Sequence, residues 1–226
     1  TMNTKNNNSA LTTLVTVFFF WGFIAASNGV FIPFCKTYFS IDQFQSQLVD
    51  FAFYGAYYLG ALLLFIMSST VKKDILNNWG YKNGIVYGLL ISALGALLMY
   101  PFVNGAQQGD SAVFYLVLLA LFIVGLGFSL QQTAANPFAI ALGDRETGSQ
   151  RLNLAGGVNS FGATIGPTVI ALIIFGSTPL SGDELNQMIL NNEIKLTTVQ
   201  LLYIGVGTLF LVAAALFHFS KKLPNT

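Results

Sequence analysis

Six long apolar stretches follow one another along the 226 residues, separated by short polar segments. A helix needs about 20 apolar residues to cross a bilayer core roughly 30 Å thick, and every stretch reaches that length. The pattern therefore predicts an all-α membrane protein with spans over Ala10–Phe34, Gln45–Ser68, Asn83–Val103, Ala112–Leu142, Leu154–Gly176 and Val199–Phe219. We expect residues 1–9 to be a disordered N-terminus, residues 10–222 to form the six-helix domain, and residues 223–226 to begin a cytoplasmic loop or end the chain.

The composition agrees with lipid as the solvent of this chain. Hydrophobic residues make up 54% of it and charged residues 8%, whereas soluble domains carry about 25% charged residues. The net charge of +1 leaves no basic patch for nucleic acid. With one Cys, one His and no phosphate-binding loop, the sequence offers no metal site, cofactor site or catalytic triad, so we do not expect an enzyme or an ATP-driven pump.

Most of the Lys and Arg residues lie in every second connecting segment. Eight of the ten Lys and Arg residues fall on one side of the predicted spans: Lys5, Lys72, Lys73, Lys82, Arg145, Arg151, Lys221 and Lys222. The other side has Lys36 and Lys195. Because cytoplasmic loops are enriched in Lys and Arg, the sequence predicts a multi-pass protein with both termini in the cytoplasm.

Two further patterns concern the organisation of the helices. The external loop over Ser177–Thr198 contains Ser181-Gly-Asp-Glu184, a possible capping box that predicts a short helix outside the membrane. Asn28 lies five residues before Pro33-Phe34 in the first span, and Gln132 lies five residues before Pro137-Phe138 in the fourth. This shared pattern favours two three-helix repeats of opposite topology, as in many secondary transporters.

Uncharged polar side chains occur within the predicted spans, where they are costly and usually face a bundle interior or a cavity. They are Asn28, Gln131, Gln132, Asn136 and Asn159. Amides both donate and accept hydrogen bonds, and with the nearby aromatic residues Phe53 and Tyr54 they would suit a hydroxylated ligand such as a sugar. The alternative is that the amides only bond neighbouring helices.

One acidic residue, Asp50, falls inside a predicted span, about one turn from the external end of the second. A carboxyl group in a low-dielectric environment favours its neutral form, so Asp50 is a candidate proton-coupling residue. The alternative is an interfacial carboxylate that stays in contact with water or headgroups.

Several motifs resemble the fucose–proton symporter family of the major facilitator superfamily, which includes bacterial glucose/galactose transporters. The most specific are Leu130-Gln-Gln-Thr-Ala-Ala-Asn-Pro-Phe138, Arg151-Leu-Asn-Leu-Ala155 and Asn159-Ser-Phe-Gly-Ala163, and the resemblance extends to Phe20-Trp-Gly22, Phe44-Gln45, Ala52-Phe-Tyr54 and Tyr81-Lys-Asn-Gly84. It runs from about Val17 to the end of the chain. It implies the N-terminal six-helix half of a sugar importer of the bacterial inner membrane, working by alternating access, with the sugar held between two such halves.

When the chain is aligned with the family it resembles, it differs from the fucose symporter at three positions. The fucose symporter's acidic residues in helices one and four align with Gly29 and Gln132 here, and its helix-five Gln aligns with Gly156. The glucose/galactose relatives also have Gln in helix four, so a hexose such as glucose or galactose is favoured over fucose. Proton coupling would then have moved to Asp50, or this half does not couple.

These observations combine into one functional prediction and one rival. We expect a secondary-active sugar transporter half whose substrate-binding residues are Asn28, Gln131, Gln132, Asn136, Asn159, Phe53 and Tyr54. Arg145 and Arg151 would belong to a cytoplasmic gate, where they could pair with Asp144 or Glu146. Its partners would be the sugar, the lipid bilayer and a C-terminal half from the same gene, a separate chain or a second copy. The rival is a non-transporting membrane sugar sensor or assembly subunit derived from such a half.

Overall fold

A computed structural model of the chain describes residues 4–176, 180, 182–221 and 223–224, and the described part is almost entirely helical. The helices in chain order are α1 (Thr4–Tyr38), α2 (Gln43–Val71), α3 (Ile75–Trp79), α4 (Tyr81–Val103), α5 (Ser111–Ala141), α6 (Gly148–Phe175), α7 (Gly182–Leu190) and α8 (Leu196–Phe219). A 3₁₀ turn over Arg145–Thr147 precedes α6. Six helices, α1, α2, α4, α5, α6 and α8, are long and apolar enough to cross a membrane, as the sequence predicts.

The local differences from the sequence analysis lie at helix ends. α1 already begins at Thr4, so residues 4–9 are helical where disorder was expected, and residues 1–3 lie outside the described part. The short helix α3 was not expected. It begins where the Asp74 carboxylate accepts hydrogen bonds from the backbone N–H groups of Leu76 and Asn77. A short helix, α7, is present between α6 and α8 as expected, but Ser181 of its expected capping box lies outside the described residues.

The long helices pack in pairs that relate the first three spans to the last three. α1 lies along α6, α2 lies along α5, and α4 packs against both α5 and α8. Glycines allow the two related crossings to be close. A Cβ atom on Gly22 of α1 would overlap the Asn159 carbonyl of α6, and one on Gly125 of α5 would lie 2.6 Å from the Phe53 carbonyl of α2. The first helix of each repeat thus meets the second helix of the other, as expected for two inverted three-helix repeats.

The buried core consists of two clusters stacked along the helix axes. One includes Leu14, Trp21, Phe128 and Phe217 and lies towards the end that holds both described chain ends. The other includes Phe34 and Phe114 together with Cys35, which is fully buried, and is covered by α7.

Loop contacts close the end of the bundle that α7 covers. Thr37 of α1 is hydrogen-bonded to Asn186 of α7. The Gly109 N–H donates to the Tyr38 carbonyl over 2.8 Å. At the opposite end the Lys82 ammonium donates to the Ser220 carbonyl over 2.8 Å. Successive long helices therefore run in alternating directions, and the positively charged segments gather at the end opposite α7.

The outer surface of the bundle differs from one side to the other. On α4 and α8 the exposed positions are mostly large and apolar, including Leu90, Leu94, Leu209 and Leu216. On α6 the exposed positions include small or polar residues over several turns, namely Asn153, Gly156, Gly157, Ser160, Thr164 and Thr168, beside the large apolar residues Leu154, Phe161, Leu172 and Ile173. An apolar surface is suited to lipid, whereas a polar surface at membrane depth is suited to protein or to water. The exposed residues of α4 and α8 are therefore suited to contact with lipid.

Candidate functional site

Three of the predicted amides line one pocket between α1, α5 and α6. Its volume is about 270 Å³, and its lining residues are Phe18, Trp21, Gln132, Asn136, Leu152, Gly156 and Asn159. Gln132 and Asn159 are half-buried and Asn136 is exposed, so their amide groups are within reach of solvent. Ligand pockets combine an apolar lining with a few convergent polar groups, and this pocket places two aromatic rings beside three amides.

The positions of these side chains follow from helix geometry. Gln132 and Asn136 are four residues apart on α5 and therefore share a face. The closest approach of α1 to α6 at Gly22 brings Asn159 next to the turn that holds Trp21. A larger residue than glycine at this crossing would separate the two helices and widen the pocket.

Gln131 lies next to Gln132 in sequence but faces a different side of α5. Its side chain is fully buried. Its Oε1 accepts a hydrogen bond from the Trp21 indole N–H over 2.9 Å, and its Nε2 donates to the Ser92 hydroxyl over 3.0 Å. Both ends of the amide are thus used to join α1, α5 and α4. Gln131 therefore bonds neighbouring helices, which was the alternative role considered for these amides. We do not assign it the predicted contact with substrate.

The same network fixes one aromatic wall of the pocket. The indole of Trp21 is held by Gln131 and packs against Phe18 at a centroid distance of 4.5 Å. Because a buried indole N–H requires an acceptor, the orientation of the ring is determined before any ligand binds.

The two predicted aromatic contacts lie elsewhere. Phe53 is fully buried, packs edge-on against Phe128 of α5 at 5.5 Å and does not line the amide pocket. Tyr54, also on α2, is 52% exposed but does not line the amide pocket. A period of 3.6 residues turns adjacent residues about 100° apart on a helix, which explains why Phe53 and Tyr54 differ.

Asn28 is separated from the other amides. It is 4% exposed and lies in the half of α1 nearer to α7, beside a narrow crevice of about 30 Å³. Its Nδ2 donates a hydrogen bond to Oδ1 of Asp50 on α2 over 3.5 Å. Asp50 is half-buried. Asn28, a predicted sugar ligand, and Asp50, the candidate for proton coupling, are thus bonded to each other away from the amide pocket.

Arg151 binds carbonyl oxygens and not the expected carboxylates. Its guanidinium donates to the carbonyls of Ala139, Ile140 and Asp144 over 2.5–2.9 Å and to the Thr147 hydroxyl over 2.7 Å. The planar five-donor group suits such a set, because the last carbonyls of a helix have no partners within it. Arg151 thus fixes the α5–α6 turn, while Arg145 is exposed.

Four lining residues of the amide pocket were not predicted as site residues, namely Phe18, Trp21, Leu152 and Gly156. Trp21 could have been noticed, since a Trp in the middle of a span needs a hydrogen-bond acceptor for its N–H. The spacing of Trp21 three residues after Phe18 places both on one face of α1. Nothing in the sequence pairs that face with Gln132.

The fold and the pocket define a class: a multi-pass helical membrane protein built from two inverted three-helix repeats with a polar pocket between helices of both repeats. The model of the Major Facilitator Superfamily matches residues 12–225. The chain belongs to this superfamily.

Three homologous proteins support that assignment. The glucose/galactose transporter of Brucella abortus (strain 9-941) is 36% identical over 177 residues, which cover 78% of this chain and 40% of the relative. The putative glucose/galactose transporter of Helicobacter pylori (strain 26695) is 35% identical over 224 residues, covering 99% and 50%. The L-fucose-proton symporter of Escherichia coli K12 is 34% identical over 176 residues, covering 77% and 37%.

Solved structures show the same relationship. A crystal structure of the fucose:proton symporter in the outward conformation matches with a TM-score of 0.66 and 28% identity, over 96% of this chain and 50% of that one. A crystal structure of a variant of the E. coli symporter, in which one Asn is replaced by Ala, matches with a TM-score of 0.65 and 29% identity. The chain thus spans about half the length of the relatives and structures that it matches, or somewhat less.

Proposed function

We propose that this chain is the N-terminal half of a secondary-active sugar transporter and that the amide pocket is its half of the sugar site. The observation that carries the proposal is the convergence of Gln132, Asn136 and Asn159 beside the Trp21 ring in one open pocket. Amides bond hydroxyl groups as donors and as acceptors, and an aromatic face packs against the C–H surface of a sugar ring.

The names of the relatives support the choice of substrate class. Two of them are called glucose/galactose transporters and one a fucose–proton symporter. The lining side chains of the pocket are uncharged at neutral pH, which suits a neutral sugar. A hexose such as glucose or galactose is the substrate we propose, because helix four carries Gln132 where the fucose symporter has an acidic residue.

The proposed mechanism is alternating access between this half and a C-terminal six-helix half. The pocket is open on one side, and the exposed polar face of α6 continues beyond it. A second half placed against this side would close the site and cover that face. We further propose that the protein lies in the bacterial inner membrane with both termini in the cytoplasm, since the positively charged segments gather at the end of the bundle that holds both of them.

The chain offers an internal reporter for the test. It has two Trp residues: Trp21 lines the pocket, and Trp79 packs edge-on against Tyr87 outside it. In the complete gene product with Trp79 and every Trp outside these 226 residues replaced by Phe, glucose or galactose should change the fluorescence of Trp21 in a saturable way. In the matched variant Trp21→Phe, where Trp79 remains as the single Trp, the same sugars should leave the fluorescence unchanged.

Two further results bear on the proposal. Asn159→Ala in the Trp79→Phe background should weaken sugar binding by about tenfold, the equivalent of about 1.4 kcal/mol for a lost hydrogen bond. Saturable binding without any exchange of labelled sugar across liposomes would instead favour the non-transporting sensor. A Trp21 signal that no hexose alters would contradict the proposed site.

A further inference from the structure

The one carboxyl group of the six long helices lies beside an external cavity of the protein. Asp50 is the single Asp or Glu within α1, α2, α4, α5, α6 and α8. Its hydrogen-bond donor in the described structure is the neutral amide of Asn28, at 3.5 Å. A carboxylate at membrane depth without a cationic partner is unfavourable, so its charge needs a separate explanation.

The charged and titratable groups near Asp50 do not offset its charge. α2 and α5 contain no Lys or Arg, and α3 has no titratable side chain. On α1 the external Lys36 ammonium donates to Gln43, which is seven residues from Asp50 or about 10 Å along the axis of α2. Tyr54 lies one turn further along α2, and the Tyr115 hydroxyl of α5 accepts from Gln45.

The remaining charged groups of this end lie at helix starts. Asp42 caps α2, Asp110 precedes α5, Asp183 and Glu184 are in the first turn of α7, and Glu193 and Lys195 lie just before α8. Five of these groups are acidic and Lys195 is basic, and none of them bonds to Asp50 in the described part of the chain. What remains to stabilise the carboxylate is its hydrogen bond from Asn28 and contact with water.

An external cavity brings water close to this pair. It has a volume of about 740 Å³ and opens between α1, α2 and α7, with the exposed residues Lys36 and Gln43 at its outer part. Its lining residues nearest to the pair along the helices are Gly29 on α1 and Gln47 on α2. Gly29 follows Asn28 directly, and Gln47 is one turn before Asp50. The pair does not itself line this cavity, which we call the external vestibule, but lies next to residues that do.

We propose that Asp50, held by Asn28 and reached through the external vestibule, is the proton-binding site of this transporter half. While the vestibule is open, water stabilises the carboxylate. When the vestibule closes, the unpaired charge would be sealed between helices, and a proton taken from the external side removes that charge. The amide of Asn28 serves both forms, since it donates to the carboxylate and, after rotation, accepts from the carboxylic acid.

This inference rests on the proposed transport function, and the test separates the two. The complete gene product is reconstituted in liposomes as wild type, Asp50→Asn and Asp183→Asn, the last removing an external carboxyl outside the spans. Wild type and Asp183→Asn should accumulate glucose or galactose under an inward pH gradient. Asp50→Asn should lose this accumulation but keep sugar exchange in the absence of a gradient.

Other outcomes assign the failure to one proposal or the other. Wild type that exchanges no hexose contradicts the transport function. Gradient-driven accumulation that survives in Asp50→Asn, or accumulation driven by Na⁺ at equal pH, contradicts the proton site alone. Exchange that disappears together with accumulation in a folded Asp50→Asn protein would make Asp50 a sugar ligand.

A second measurement does not require transport. Infrared difference spectra of the purified protein between neutral and acidic pH should contain a carboxylic acid band from Asp50. The band should be present in Asp183→Asn and missing in Asp50→Asn. A spectrum that Asp50→Asn leaves unchanged would contradict the proposal.

Discussion

Two adjacent glutamines show how much a single position matters in this bundle. Gln131 is buried and joins three helices through Trp21 and Ser92. Gln132, one residue later, is half-buried and lines the amide pocket. The same chemical group thus stabilises the fold at one position and is free to contact a ligand at the next.

This difference in burial predicts that the same substitution lowers stability at position 131 and weakens ligand binding at position 132. Gln131→Leu leaves the Trp21 N–H without its acceptor and should lower the free energy of unfolding by about 1–3 kcal/mol. Gln132→Leu should leave thermal stability nearly unchanged and weaken hexose binding. Thermal unfolding in detergent and Trp21 fluorescence measure the two quantities. Equal losses of stability in both variants would contradict the assignment of Gln131.

At the level of helices, the bundle depends on close crossings at glycines. A Cβ on Gly162 of α6 would overlap the Phe19 carbonyl of α1, and one on Gly166 would come 2.5 Å from the Phe23 carbonyl. By contrast, Gly157 on the same helix has open space at this position. The α1–α6 crossing is the one that brings Asn159 to Trp21, so its closeness also shapes the pocket.

Gly162→Ala and Gly157→Ala therefore form a matched pair on one helix. Gly162→Ala pushes α1 and α6 apart and should cost about 1–3 kcal/mol of stability, as overpacking does in other cores. Gly157→Ala should be neutral or stabilise by up to about 1 kcal/mol, because alanine favours the helix. Thermal unfolding of both variants provides the comparison, and a neutral Gly162→Ala would show that the crossing is looser than described.

The six spans could be predicted because a bilayer demands length and apolarity, and both are properties of sequence. The repeat arrangement also left a trace in the spacing of Asn28 and Gln132 from their prolines. The sequence contains no comparable sign of the direction in which each amide faces. Every long helix is apolar on most sides, so the usual contrast between polar and apolar faces is weak, and tertiary packing decided that Gln131 and Phe53 are buried.

At the scale of the whole molecule, the bundle has two different sides. The exposed residues of α4 and α8 are mostly large and apolar, whereas α6 exposes small and polar residues such as Ser160 and Thr164 beside the large Phe161. Small and polar residues at membrane depth are suited to contact with protein or water. This difference between the two sides agrees with a chain that spans about half the length of its relatives.

Spin labels can test this asymmetry directly. A label at Leu209→Cys on α8 should respond to oxygen, which concentrates in lipid. A label at Ser160→Cys on α6 should respond less to oxygen and more to a water-soluble nickel complex, because this face borders protein or water. The two accessibilities are measured in the complete gene product in liposomes. Equal lipid exposure at both positions would contradict the assignment of sides.

The buried position of Cys35 has a practical consequence. It is the single thiol of the chain and lies fully within the core beneath α7. Maleimides and other bulky thiol reagents that do not enter a packed interior would leave the native protein unmodified. Probes can then be attached at chosen positions without first removing Cys35, and the appearance of labelling in the native protein would itself report that the helices beneath α7 have opened.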